Sequence, residues 1–102
     1  MAKGYWIARV DVHNPDGYKD YVAQNGVVFA KYGGKFLVRG GRHVAKEGSV
    51  RTRNVVIEFK DYETAIACYN SPEYVRLVAL RSPHSEADLL IIEGYDGVQP
   101  GE

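Results

Sequence analysis

The stretch TRNVVIEFKDYETAIACYNSPEYVRLVALRSP, residues 52–83, decides the fold. Thr52 to Phe59 is rich in β-branched and aromatic residues and reads as a strand. Asp61 can cap a helix whose inner face carries Tyr62, Ala65, Ile66 and Tyr69. Ser71-Pro72-Glu73 then restarts a helical segment with a cap and a proline at its first position, and its face is Tyr74, Leu77, Val78 and Arg81. Pro83 closes it. Toward the C-terminus, Ala87 to Glu93 is a further strand, and Gly94 to Glu102 is a tail with a turn at Asp96-Gly97. Toward the N-terminus, His43 to Arg51 is a polar loop or hairpin with Gly48 at its tip. Before it, Lys35 to Arg39 is a strand, with Gly40-Gly41 marking a bulge or bend near its end. The chain starts with the strand Tyr5 to Val12, which stops at His13-Asn14-Pro15-Asp16, an N-cap followed by proline in the first helical turn. Tyr18, Tyr21, Val22, Asn25, Phe29 and Tyr32 then recur at offsets 0, 3, 4, 7, 11 and 14, one face of a helix that Gly33-Gly34 ends. The order is βαββαβ. This predicts an α+β, ferredoxin-like fold: a four-stranded antiparallel sheet with helices on one face.

The 102 residues make one domain, 1–102, of which 95–102 is a C-terminal tail. Thirteen basic residues balance thirteen acidic ones, so no basic field gathers nucleic acid or an anionic membrane surface. The single cysteine, Cys68, excludes an internal disulfide and a CxxC pair, and reads as a buried small hydrophobe. No apolar run approaches a membrane span, and Met1-Ala2-Lys3-Gly4 leads straight into strand-like sequence, so the chain reads as cytoplasmic.

A sheet covered by helices on one side alternates apolar and polar residues, and these strands do not. Strand three offers Val55, Ile57 and Phe59 to one side and Val56 to the other, and Leu89, Leu90, Ile91 and Ile92 make strand four apolar on both parities. The uncovered face spans on the order of 400 Å² in projection. A soluble monomer rarely exposes that much contiguous apolar surface, so a second copy laid sheet against sheet is expected to cover it.

Five segments in order resemble a known family: Gly4-Tyr5-Trp6-Ile7-Ala8-Arg9-Val10, Phe36-Leu37-Val38-Arg39-Gly40-Gly41, Arg53-Asn54-Val55-Val56-Ile57-Glu58-Phe59, Cys68-Tyr69-Asn70-Ser71-Pro72-Glu73-Tyr74 and Ile91-Ile92-Glu93-Gly94-Tyr95. Together they are similar to the domain of unknown function numbered 1330. The resemblance runs from about Gly4 to Tyr95. It implies the dimeric α/β-barrel superfamily, in which two ferredoxin-like chains join their sheets into a barrel and each keeps a cleft between helices and sheet. Superfamily relatives include cofactor-independent monooxygenases, muconolactone isomerases and haem-handling enzymes. The family has no reaction attached to it, so the resemblance supplies a fold and a place to look.

Polar groups at apolar positions carry the remaining information, because a buried unpaired charge must be offset by a partner. Asn25 interrupts the aromatic stripe of helix one, either as a ligand hydrogen bond or as a tie to a neighbouring backbone. Arg81 can anchor a carboxylate or phosphate in the cleft; alternatively it lays its head at the rim or pairs with Glu86 or Glu93. Glu58, Arg9 and Arg39 fall on one side of the sheet if their parities coincide, which would make Glu58 a proton acceptor or the counter-ion of a structural pair. Tyr18, Tyr21, Tyr69 and Tyr74 lie on inward helical faces, where their rings can wall a cleft or simply pack. His13, His43 and His84 are scattered near loops without metal-ligand spacing, although His84 can border the cleft. There is no nucleotide, flavin or hydrolase motif.

These readings converge on a homodimer that binds a small, anionic organic molecule in one cleft per chain, without metal or cofactor. Its chemistry would be proton transfer or cofactor-independent oxygenation of a small organic acid or phenol. Glu58 would be the base or orienter, with Arg39, Arg81, Asn25 and the tyrosines holding the ligand. The alternative is a non-catalytic ligand-sensing or structural dimer module. A cleft of several hundred Å³ where Asn25, Glu58 and Arg81 converge favours the first, and a filled interior the second.

Overall fold

The computed structural model describes residues 2–102. Strand β1 (Gly4–Val12) leads into helix α1 (Pro15–Lys31), then β2 (Lys35–Arg39), β3 (Arg53–Phe59), α2 (Tyr62–Asn70) and α3 (Pro72–Arg81). A single 3-10 turn over Ser82–His84 delivers the chain to β4 (Ser85–Glu93). Each helix starts where a short polar side chain can satisfy an orphan amide. Asn14 accepts from the amide of Gly17 at 3.3 Å, Asp61 from Thr64 at 2.8 Å and Ser71 from Tyr74 at 3.2 Å. Helix α1 ends at Gly33, whose φ of 73° a side chain would resist.

The four strands form one antiparallel sheet in the order β2-β3-β1-β4, with β1 paired to both β3 and β4. All three helices lie on one face. The core centres on Trp6 of β1, whose ring meets Phe29 at 5.2 Å, Phe59 at 5.6 Å and Tyr74 at 4.9 Å between centroids. Such aromatic pairs add about 0.5–1.5 kcal/mol each beyond the area they bury. The Trp6 indole N–H donates to the carbonyl of Ala65 at 2.8 Å, so the one polar atom of the ring is satisfied inside the core.

That contact sets how α2 lies. Its buried residues are Ala65 and Cys68, two small side chains, while Tyr62 is exposed and Ile66 and Tyr69 are half-buried. The expected stripe of Tyr62, Ala65, Ile66 and Tyr69 is thus turned by about one residue, because small side chains let the helix approach the sheet closely.

Two alternatives are resolved after β2, where Gly40 is a bend and the next segment a loop. The register shift between β2 and β3 falls between Phe36 and Val38, so the bulge is at Leu37, and Gly40, with φ 65°, forms the bend after the strand. The segment from Gly41 to Thr52 is an irregular loop rather than a hairpin, with Gly48 at φ 70°. The bulge has a consequence for charge. Phe36 pairs with Ile57 and Arg39 with Val55, both on the helix side, whereas Val38 pairs with Val56 on the other face. One extra residue switches the parity of everything after it. Arg39 therefore joins the helix side, stacked 4.2 Å above the Phe36 ring, while Arg9 and Glu58 lie on the opposite face.

On that opposite face Val38, Val56, Ile7 and Leu90 form one row across all four strands. The neighbouring row is Lys35, Glu58, Tyr5 and Ile92. Leu90, Ile92 and Val38 are 50%, 48% and 43% exposed. Toward the other end the face turns polar, where Arg51 reaches Asp11 at 2.9 Å, Asp88 at 2.8 Å and Glu86 at 3.5 Å and holds the long loop against the sheet. No helix among the described residues is long and apolar enough to cross a membrane.

Candidate functional site

Between α1, α3 and the sheet lies a cavity. Helical spacing brings Tyr18, Tyr21 and Asn25 of α1 to one wall, and Tyr74 and Arg81 of α3 to the facing wall. The floor is sheet: Trp6, Ala8 and Val10 from β1, Arg53, Val55 and Ile57 from β3. Its enclosed part leaves about 30 Å³ for water centres, room for roughly two waters. Beyond it an open groove of about 660 Å³ runs between α1 and the β2 edge, and Tyr18 and Arg53 belong to the walls of both spaces. The other groove residues are Val12, Pro15, Lys19, Val22, Ala23 and Arg39.

Two polar side chains in the enclosed part stand out among the described residues, an amide oxygen without a hydrogen-bond partner and a guanidinium without a carboxylate. Asn25 is 5% exposed, and its Oδ1 has no hydrogen-bond partner. Native proteins leave few such atoms, since an orphaned buried acceptor costs about 1–3 kcal/mol. Arg81 is 9% exposed and makes no ion pair among the described residues. The carboxylates that sequence reasoning offered it are elsewhere: Glu86 turns to Arg51, and Glu93 is exposed at the end of β4. The compensation for Arg81 comes from tyrosines: the hydroxyl of Tyr74 first, then Tyr21, whose ring centroid is 5.8 Å from the guanidinium carbon.

The hydroxyls of Tyr21 and Tyr74 are 2.7 Å apart, a buried pair in which either can donate. Burial pushes the Tyr21 hydroxyl well above the usual phenol range, Tyr74 adds to that, and Arg81 only partly opposes it. Tyr21 therefore stays protonated at any physiological pH. Tyr18 is also raised by burial, against the pull of Arg53 and Arg81, so its hydroxyl lies within electrostatic reach of both guanidinium groups.

Of the residues singled out from sequence, Asn25, Arg81, Tyr18, Tyr21 and Tyr74 line the cavity, and Arg39 lines the groove outside it. Glu58 does not join them. It sits on the opposite face, accepting from the Tyr5 hydroxyl at 3.1 Å, with the sheet between it and the cavity. A proton acceptor in the cleft cannot be this carboxylate, and its grouping with Arg39 fails because of the Leu37 bulge. Arg9 is on the same face as Glu58, with its guanidinium on the carbonyl of Ser49 at 3.0 Å. Tyr69 packs its ring against Trp6 and Tyr74, at 5.6 and 5.3 Å, away from the cavity. His84 lies against Asn14, the cap of α1, with its Nδ1 3.3 Å from the Asn14 Nδ2, and does not border the cavity; His13 and His43 are exposed. No group of three His, Cys, Asp or Glu among the described residues is placed to hold a metal. Sequence reasoning missed Arg53, yet it shares the parity of Val55, Ile57 and Phe59, and that alternation alone puts it on the helix side.

No curated protein matches the chain. Among solved structures, protein RPA0582 of unknown function from Rhodopseudomonas palustris is similar, with a TM-score of 0.70 and 18% identity over 97% of this chain and 85% of that one. SnoaB, a cofactor-independent oxygenase from Streptomyces nogalater, has a TM-score of 0.65 and 15% identity over the whole of both chains. A dimeric ferredoxin-like protein of unknown function from Thermobifida fusca has a TM-score of 0.53 and 14% identity over 90% of this chain and 89% of that one. At these identities the likeness is one of fold. The sequence adds more than a fold: residues 3–95 match a single family model, and the chain belongs to the family described as the domain of unknown function DUF1330.

Proposed function

We propose that this protein is a cytoplasmic homodimer that binds a small organic acid or phenol as its anion, with the charged group in the small cavity between α1, α3 and the sheet and the rest of the molecule in the open groove outside it. One observation carries the reading: Arg81 is 9% exposed and has no carboxylate partner among the described residues. A buried guanidinium without a counter-ion is costly, and an anionic ligand removes the cost. Asn25 supplies the second contact, since its amide can meet a carbonyl or hydroxyl of the ligand with whichever end faces it. Two copies joined through the row Val38, Val56, Ile7 and Leu90 would cover the exposed apolar face, a reading supported by the dimeric fold relative.

The chemistry available is stabilisation of charge rather than removal of a proton. The titratable side chains lining the cavity are tyrosines and arginines; no carboxylate or imidazole is among them. A guanidinium beside a phenol favours its ionised form, typically by about 1–3 pKa units. The phenolate is the electron-rich form that dioxygen or an electrophile attacks, which suits cofactor-independent oxygenation as in the oxygenase relative. The same lack of a proton acceptor, with an interior filled but for about 30 Å³ and Glu58 on the other face, favours one rival, the non-catalytic ligand-sensing or structural dimer module.

4-Nitrophenol tests the reading because its anion is coloured. Burial raises the pKa of phenols in this site and Arg81 opposes that, so bound 4-nitrophenol should ionise at a lower pH in the wild type than in Arg81→Met, and that difference is the shift to be read. A thermal-shift screen of carboxylates gives a second readout: 1 mM of a ligand with Kd near 10 μM adds roughly 2.7 kcal/mol of apparent stability. If Arg81→Met lowers the melting point while every ligand shift persists, the arginine is structural and the site is misassigned.

A further inference from the structure

We infer that the ligand carries two anionic groups, one held at Arg81 and Asn25 and the other at Arg53 and Arg39, with an apolar ring between them. The inference rests on the reading of the inner cavity as an anion site and extends it into the groove outside. The chain has no net charge, and the acidic residues that do form ion pairs form them elsewhere: Arg51 takes Asp11, Glu86 and Asp88, Lys31 takes Glu73 and Lys19 takes Asp16. Arg39, Arg53 and Arg81 have no ion pair among the described residues, and they line two neighbouring spaces that share Tyr18 and Arg53 as walls. No acidic side chain lines either space.

The fold goes out of its way to aim two of these side chains. The Leu37 bulge turns Arg39 to the helix side, where Phe36 supports its guanidinium at 4.2 Å. Gly40 leaves room for Arg53: a Cβ there would come within 2.9 Å of Nη1. Between the charges the walls are apolar, from Val12, Pro15 and Val22 to the ring of Tyr18. Arg39 lines only the groove, Arg81 only the cavity, and Arg53 both. A six-membered ring lying in the groove can offer one acid group to Arg39 and Arg53 and direct a second past Tyr18 toward Arg81, where each guanidinium fork gives paired hydrogen bonds.

Benzoate and terephthalate share a ring and differ by one carboxylate, so titration calorimetry with both separates the two claims. Wild type should bind terephthalate at least about tenfold more tightly than benzoate, the value of one charge-assisted contact. Arg39→Met should collapse that ratio toward one, and Arg81→Met should weaken both ligands. Equal affinities in the wild type, or a ratio that Arg39→Met leaves intact, overturn the two-anion site while the single anion site stands. If neither acid binds and 4-nitrophenol shows no shift, the reading beneath it fails as well.

Discussion

Replacing Asn25 with leucine should stabilise the unliganded protein. Most polar-to-apolar changes in a core remove a hydrogen bond, but here Oδ1 has none to lose. Leucine is close to asparagine in shape, and its neighbours on the cavity wall, Tyr21, Phe29 and Tyr74, are aromatic. The gain is the relieved penalty of a buried orphan acceptor, about 1–3 kcal/mol. The lower end applies where a water reaches Oδ1, since the cavity leaves about 30 Å³ for water centres. For a chain of this length each kcal/mol raises the melting temperature by about 4–8 °C. Urea denaturation should move its midpoint upward with an unchanged slope, because the surface exposed on unfolding hardly alters. The same variant should lose affinity for carboxylates and phenols. That pairing of higher stability with lost binding marks a residue kept for a ligand. A loss of 1 kcal/mol or more in Asn25→Leu would refute the reasoning and make Asn25 a structural tie.

Leu90→Asp should halve the mass seen by sedimentation while the circular dichroism spectrum persists, whereas Ile57→Asp, on the helix side at 2% exposure, should unfold the chain. Ser71→Ala removes both the cap on Tyr74 N–H and the bond to the Cys68 carbonyl at 2.7 Å, and should cost about 1–2 kcal/mol in denaturant melts. Asp11 and Asp61 are held below the usual carboxylate range, by the amide of Thr52 and by the side chain and amide of Thr64 respectively. Their contribution is complete above the unfolded value of ~3.9 and is lost as pH falls through the lower folded values, so the acid limb of a stability profile should begin below about pH 4. Cys68 is fully buried and its thiol is pushed up to about 12 by burial, so a thiol reagent should label it only after unfolding; labelling of the native protein would contradict the packing of α2.

The fold was legible because its signals are local. Asn14, Asp61 and Ser71 cap by bonding an amide three residues on, and Pro15 and Pro72 preset the first turn, so short stretches of sequence carry each boundary. Alternation in β3 likewise showed apolar groups on both faces before any pairing was known. Five members of the cavity wall came from helical periodicity in the same way: Tyr18, Tyr21 and Asn25 on α1, Tyr74 and Arg81 on α3. What sequence left open were the relations between residues far apart in the chain. Whether Arg39 shares a face with Glu58 depends on one unpaired residue, Leu37, and a bulge exists only in the pairing of two strands. Whether Arg81 has a carboxylate depends on where Glu86 goes, and Glu86 goes to Arg51 on the other side of the sheet. Local sequence sets backbone conformation and the direction of a side chain on its own element. Only the tertiary structure decides which side chains meet, and at this site it leaves, among the described residues, a buried arginine without a carboxylate and a buried amide oxygen without a hydrogen-bond partner.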